Sequence, residues 1–345
     1  MSDNEFVPGK LDTPEIKAEL AKAEALAGDD RILKFVEMQQ AKMNDKPTFD
    51  RSVAVEPVQL FDQLYFIGNQ EVGSFIFKTS EGLLMIDSVF PHMLETSLLP
   101  GMRKMGLDPA DVKYLLITHA GPDHIGCAYY FQKHFGTTVV MTEDEWGRAP
   151  SPEENAARLR AKNEPDYVYN PFDMGAVVWP ERDMVGKDGD EIALGELTVQ
   201  MYSTPRTTRG GGLSYIANVT DNGAEHVWCT YGNTNVVGSV EDMAVYRQSV
   251  QRFCELAKRE HVDSMTSDHP FVDDSMTTIE ELRNRKPGEK NPFVLGEDRV
   301  TKFFEILDQT AIVIAMRREL GINEAGTGPW EPGIFDLVNG SMMKK

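Results

Sequence analysis

Disulfide chemistry has little to work with in this chain. Its three cysteines, Cys127, Cys229 and Cys254, lie within apolar segments and form no CxxC pair, so reduced, buried thiols fit better than a disulfide framework. Long hydrophobic runs are also missing. Nothing reaches the roughly 18 apolar residues needed to span a bilayer, and residues 1–10 lack the basic and apolar regions of a signal peptide. A cytoplasmic protein is expected. Basic residues are outnumbered, 35 Lys and Arg against 55 Asp and Glu, and the net charge of −20 repels nucleic-acid phosphate and anionic membrane alike. Neither is expected as a partner. No clean internal repeat is visible. The chain is long, however, at 345 residues, which is enough to bury a sizeable core in one large catalytic domain with extensions.

Residues 1–50 read as an acidic helical arm, with good helix formers over 13–27 and 31–43. Its apolar residues have to pack on something, either the domain or a second subunit. Residues 51–285 read as the catalytic domain. Strand-type runs at 64–67, 74–78 and 83–86 are separated by glycine-containing turns, a helix is expected over 91–105, and a buried strand over 112–117. Helical spacing over 125–135 and a strand at 138–141 follow. Residues 148–182 are irregular, with five prolines and several aromatics, and a stretch that long suggests a lid or a subunit-contact loop, or else a plain surface insertion. A second block supplies strands at 191–203, 213–219, 226–231 and 262–267 and a helix at 241–259. Two such blocks predict an α+β fold of two packed sheets flanked by helices. Residues 286–345 are then a linker, an amphipathic helix at 299–320 and a glycine-rich, mobile tail.

The chemistry concentrates in Thr118-His119-Ala120-Gly121-Pro122-Asp123-His124, which follows the 112–117 strand. Ligands collect at the C-terminal ends of such strands. One carboxylate and two imidazoles within six residues make a metal nest for a borderline cation such as zinc. The plainer alternative is that Asp123 caps the next helix and both histidines are ordinary loop residues.

Further along come Thr204-Pro205, then Gly210-Gly211-Gly212, Gly232-Asn233 and Asp268-His269. That order, with His119-x-x-x-Asp123-His124-x-Gly126 before it, resembles the metallo-β-lactamase superfamily over roughly residues 50–285. The resemblance implies an αβ/βα sandwich holding one or two metal ions, here with the N-terminal arm and C-terminal helix added. Gly121 replaces the second histidine of the superfamily motif, Thr207 stands where its turn histidine falls, and Asn233 replaces its bridging aspartate. The first metal's set then keeps only His119, while Asp123, His124 and His269 keep the second's, with Asn233 as a weak neutral ligand. One zinc ion per chain, or another divalent ion, is what this implies. An open site of this kind would lower the pKa of a bound water towards about 7. His119 would be free for proton transfer. Arg206 and Arg209, in the turn that lost its histidine, together with Thr207, would line the substrate side and bind or stabilise an anion, unless the two arginines are merely exposed loop cations.

The reduced ligand set is similar to that of hydrolytic dehalogenases such as chlorothalonil dehalogenase and to a hydrolytic dinitroanisole O-demethylase. It implies nucleophilic aromatic substitution, in which metal hydroxide displaces chloride or methoxide from an electron-poor ring. Trp146, Trp179, Phe172 and Tyr169 are candidates to stack on that ring. The dehalogenase group keeps histidine at the position of Gly121 and a small hydroxyl residue at that of His119, which is the reverse of this sequence. An ester, thioester or lactone hydrolase therefore stays open. So does a degenerate, non-catalytic subunit of a hetero-oligomer. Oligomeric contact, whether homomeric or heteromeric, is expected through the arm or the C-terminal helix.

Overall fold

The computed structural model describes residues 7–42, 54–163, 177–234 and 238–329. Two capped helices come first. The Thr13 hydroxyl accepts from the Ile16 amide at the start of α1 (Pro14–Ala27), and Asp30 accepts from the Ile32 and Leu33 amides at the start of α2 (Arg31–Ala41). An antiparallel meander follows, made of β1 (Val58–Phe61), β2 (Leu64–Gly68), β3 (Gly73–Thr79) and β4 (Gly82–Ile86). A π-helical turn, Leu94–Leu98, runs into α3 (Leu99–Lys104). Next come β5 (Val112–Leu116), α4 (Pro122–Ile125), α5 (Ala128–Phe135), β6 (Thr138–Met141), α6 (Glu143–Trp146), α7 (Pro152–Lys162) and β7 (Met184–Val185). β5, β6 and β7 extend β4 in parallel to give a seven-stranded sheet ordered β1 to β7.

The second sheet contains β8 (Glu191–Leu194), β9 (Leu197–Ser203), β10 (Leu213–Asp221) and β11 (Ala224–Thr230). After α8 (Val240–Arg259), the short β12 (Ser264–Met265) joins β11 in parallel. The helices α9 (Pro270–Asp273), α10 (Ser275–Arg283) and α11 (Glu297–Glu319) complete the described elements.

Strand alternation sorts the side chains into layers. Phe75, Phe77, Leu84 and Ile86 face the gap between the sheets and meet Met201, Tyr215, Ala217 and Trp228. The Trp228 indole stands edge-on to Phe75 and Phe77, at centroid distances of 5.1 and 5.5 Å. The intervening residues Ile76, Leu83 and Met85 point to the other face, against Leu98, Met102 and Phe131. On the outer face of the second sheet, Ile216, Cys229 and Tyr231 pack on Phe253 of α8, Phe304 of α11 and Val36 of α2. The result is helix, sheet, sheet, helix. No helix among the described residues is long and apolar enough to cross a membrane.

Several expectations change. The arm packs on its own chain: α1 and α2 lie on α11, and Arg317 of α11 makes a fully buried bidentate pair with Asp12, at 2.8 and 2.6 Å. The stretch after α11, expected to be mobile, is docked as far as residue 329, because Gly9 and Leu11 donate backbone hydrogen bonds to Ala325 and Gly326. The 191–203 run is two strands, since Gly195 at φ 57° turns the chain between them. The irregular 148–182 segment contains α7, started by a capping box of Ser151 and Glu154 that a reading dominated by its prolines overlooks. α7 is also tied down, Asn155 exchanging hydrogen bonds with the Trp179 backbone. Tyr169 and Phe172 lie outside the described residues, as does the chain beyond 329.

Candidate metal centre

β5 ends in the core, and the chain turns sharply after it. The Gly121 amide donates to the His119 carbonyl at 2.9 Å, and Gly121 then caps α4 with Pro122 in the first helical position. Asp123 is therefore inside the first turn of α4 and makes no side-chain cap. That removes the plainer reading of Asp123. This one-turn helix turns His124 inward until it is fully buried. His269 arrives from the end of β12, and its main chain is braced where the Gly73 amide donates to the Asp268 carbonyl at 2.9 Å.

The fold brings Asp123, His124 and His269 together, with one ligand-type atom from each within 4.8 Å of the others. Asp123 Oδ2 lies 3.2 Å from His124 Nε2 and 3.6 Å from His269 Nε2. All three histidines of the site are held by Nδ1. His269 Nδ1 donates to the Glu71 carbonyl (2.7 Å), His124 Nδ1 to Asp87 Oδ2 (2.9 Å) and His119 Nδ1 to the Gly232 carbonyl (3.0 Å). These acceptors place a proton on each Nδ1 and leave each Nε2 as the nitrogen that a cation can take. His119 lies outside the three-residue group, its ring 4.0 Å from that of His124.

Asp87 ends β4 at φ 58°, and its carboxylate also accepts from the Thr118 amide and hydroxyl, both at 2.8 Å. Neither Asp87 nor its neighbour Asp268 stood out in the sequence. The available signal was an acid at the end of a strand parallel to the motif strand, and another immediately before a ligand-type histidine. Glu145 was missed too. It is buried, accepts from the Ala120 amide at 3.1 Å and pairs with Arg148, which donates to the Gly210 carbonyl. Glu145 and Arg148 thus join the His119 turn to the glycine loop.

Burial disfavours charge throughout this cluster, and partners decide the outcome. Burial works against both members of the His124–Asp123 pair, yet their attraction holds His124 well above the usual imidazole range and Asp123 below the usual carboxylate range. Burial pushes Asp87 up, and His124 pulls it back only in part. Burial also drives His119 well below its ordinary value, helped by the positive charge near it at His124, Arg206 and His269. Its Nε2 is consequently a neutral acceptor near neutral pH.

The donor set fits a divalent cation. Among the described residues, His124 Nε2 and Asn233 Oδ1 are buried and without a hydrogen-bond partner, and the Asn233 amide is oriented because its Nδ2 donates to the Thr204 carbonyl at 2.8 Å. The proton that Asp123 favours on His124 Nε2 is what a cation displaces. Asn233 and the glycine loop fit closely: a Cβ on Gly212 would sit 2.2 Å from Asn233 Nδ2, and one on Gly211 2.3 Å from Glu145 Oε1. Both glycines also have positive φ, so no other residue follows that path without strain.

Other expectations separate. Arg206, on the same loop, is partly buried and makes no hydrogen bond or ion pair among the described residues. Burial lowers its pKa, while Glu145 and Asp123 oppose the shift. Arg209 is exposed. Thr207 is partly buried, and its carbonyl closes the loop by accepting from the Gly210 amide at 3.1 Å. Trp146 and Trp179 are not pocket walls; both are buried in the core against α5, and the Trp146 indole donates to the Met184 carbonyl. Gly121 is closely packed, since a Cβ there would meet Asp123 Oδ1 at 2.6 Å and His119 Nε2 at 3.2 Å.

Two sheets between helical layers, with acids and histidines gathered at the strand ends, define the metallo-β-lactamase fold. Residues 70–220 match the family model of the metallo-beta-lactamase superfamily. Among solved structures it is similar to BJP-1, a subclass B3 metallo-β-lactamase of Bradyrhizobium japonicum, at 22% identity over 78% of this chain and 97% of that one, TM-score 0.59. The FEZ-1 metallo-β-lactamase of Legionella gormanii is 18% identical over 79% of this chain and 100% of its own, TM-score 0.64. A Cronobacter sakazakii metallo-β-lactamase with a HARLDQ motif is 17% identical over 78% and 96%, TM-score 0.56. At these identities the likeness is one of fold.

Proposed function

We propose that this chain is a metal-dependent hydrolase working with one divalent ion, zinc by preference, held by Asp123, His124 and His269 with Asn233 Oδ1 as a weak fourth ligand. The reading is carried by the three histidines whose Nδ1 atoms are tied to acceptors at 2.7–3.0 Å, which frees each Nε2. When bound, such an ion supplies Lewis acidity and lowers the pKa of water towards about 7. His119 Nε2, neutral and beside the site, takes the proton from the attacking water. Arg206, which makes no hydrogen bond or ion pair among the described residues, supplies positive charge to an anionic intermediate.

Within that class we infer displacement on an electron-poor aromatic ring. Water oxygen bonds to the ring carbon, its proton passes to His119, and chloride or methoxide leaves with the carbon-bonding pair. The reduced ligand set supports this reading; the buried tryptophans give it no stacking surface, so an ester, thioester or lactone substrate is the second reading. A degenerate, non-catalytic subunit of a hetero-oligomer stays open beside these two readings.

Elemental analysis of the native protein, with a screen of halogenated and nitro-activated aromatics, thioesters and lactones, tests the proposal. Near-stoichiometric metal is expected, lost together with activity in His124→Ala and His269→Ala. Chloride or methanol release supports ring substitution, and carboxylate release moves the assignment to the second reading. Protein never exposed to chelator and still free of metal overturns the hydrolase.

A further inference from the structure

His124 is contacted at Nδ1 by more than one carboxylate. Asp87 Oδ2 takes the short hydrogen bond at 2.9 Å, and Asp268 Oδ2 lies behind it at 3.4 Å. Both acids are essentially inaccessible to solvent, Asp87 at 0% and Asp268 at 1% exposure. One N–H cannot serve two oxygens well. Asp87 has two further donors from Thr118, whereas among the described residues Asp268 keeps only the Ser267 hydroxyl on Oδ1 at 3.3 Å, and its buried Oδ2 has no hydrogen-bond partner. Folding normally avoids such an atom, because a buried acceptor without a donor costs about 1–3 kcal/mol and a charged one more.

The surroundings hold Asp268 where it is. It stands between Ser267, whose amide donates to Asp273 at 2.7 Å, and His269, whose amide donates to the Ser267 hydroxyl at 3.1 Å. Gly73 fixes its carbonyl from the neighbouring turn. The residue that precedes one ligand-type histidine therefore touches the far nitrogen of another, joining the two segments that build the centre.

We propose that Asp268 is a positioning residue for the metal: with Asp87 it forms a two-carboxylate clamp on His124 Nδ1 that raises the affinity of Nε2 for a divalent cation. The proposal rests on the metal-site reading above. Carboxylate hydrogen-bonded to the far nitrogen makes a ligating imidazole a stronger donor and fixes its orientation, and removal of such partners typically costs about 10–100-fold in metal affinity. A second carboxylate adds negative charge behind the ring and narrows its freedom to rotate. The orphaned oxygen is thus a structural cost retained for the cation.

Asp268→Asn separates this role from a structural one because the two effects have opposite signs. Zinc affinity is measured on the full chain by competition with a chromophoric chelator, and thermal unfolding is followed on metal-free protein. The clamp predicts a loss of affinity of about 10-fold or more, while the metal-free variant, relieved of a buried unpaired carboxylate oxygen, melts at or above the wild-type temperature. Unchanged affinity overturns the proposal, and so does a loss of affinity matched by a fall in the metal-free melting temperature. If the asparagine variant does not fold, Asp268→Ser carries the same predictions. Wild-type protein that binds no zinc overturns the metal reading itself, whereas wild-type binding with an indifferent Asp268→Asn overturns only the clamp.

Discussion

At the scale of single residues, the site depends on which atom of each side chain is left free. His119, His124 and His269 are alike in sequence, but their Nδ1 partners are a carbonyl, a carboxylate and another carbonyl from three different segments. Arg206 is the complementary case, a guanidinium partly buried near acids and, among the described residues, in no hydrogen bond or ion pair with them. The proposed role for such a group is to meet a substrate anion. Arg206→Gln is expected to lower kcat on a verified substrate by about 100-fold with little change in KM, the pattern for a charge that acts on the transition state. Metal content stays unchanged. Steady-state kinetics giving wild-type kcat and KM would remove the anion role. His119 and Arg206 were readable as site candidates from their place in a superfamily-like order; Asp87, Asp268 and Glu145 were not, because an acid at a strand end resembles any other until the strands are paired.

At the scale of elements, the glycine loop between β9 and β10 determines how closely Arg206, Asn233 and Glu145 approach. Gly210, Gly211 and Gly212 have φ of 76°, 81° and 96°, and a Cβ on any of them falls within 2.3 Å of Asp144, Glu145 or Asn233. Gly211→Ala forces both a strained backbone and a displaced Glu145. A loss of about 1–3 kcal/mol is expected, read as a lower denaturant midpoint with the slope unchanged. Equal stability of the variant would show that the loop has another path open to it. Helix and strand positions followed from apolar period over most of the chain, and failed where short-range chemistry took over. The Gly195 turn divides one expected strand, and the Ser151 capping box starts a helix inside a proline-rich stretch.

At the scale of the whole molecule, the additions at the two ends of the chain make one layer. α1 and α2 rest on α11, and the buried Arg317–Asp12 pair joins them. Asp12→Ala leaves a guanidinium in the interior whose remaining acceptors are the Ala41 and Glu324 carbonyls. Breaking one side of such a pair is expected to cost about 3–5 kcal/mol, seen as a large drop in melting temperature. Asp12→Ala with Arg317→Met should recover most of it, since no charge then remains buried. A single variant that melts like the wild type would mean that the arm contributes little to the fold.

Sequence alone determined the α+β class, the two-sheet layering and the order in which acids and histidines arrive, because period and spacing are local properties of a chain. Tertiary structure decided which of those groups meet. Asp123, His124 and His269 converge while His119 stays beside them, and the tryptophans offered to a substrate went to the core. These outcomes depend on distances between segments far apart in sequence, which strand pairing and packing fix and no local pattern encodes.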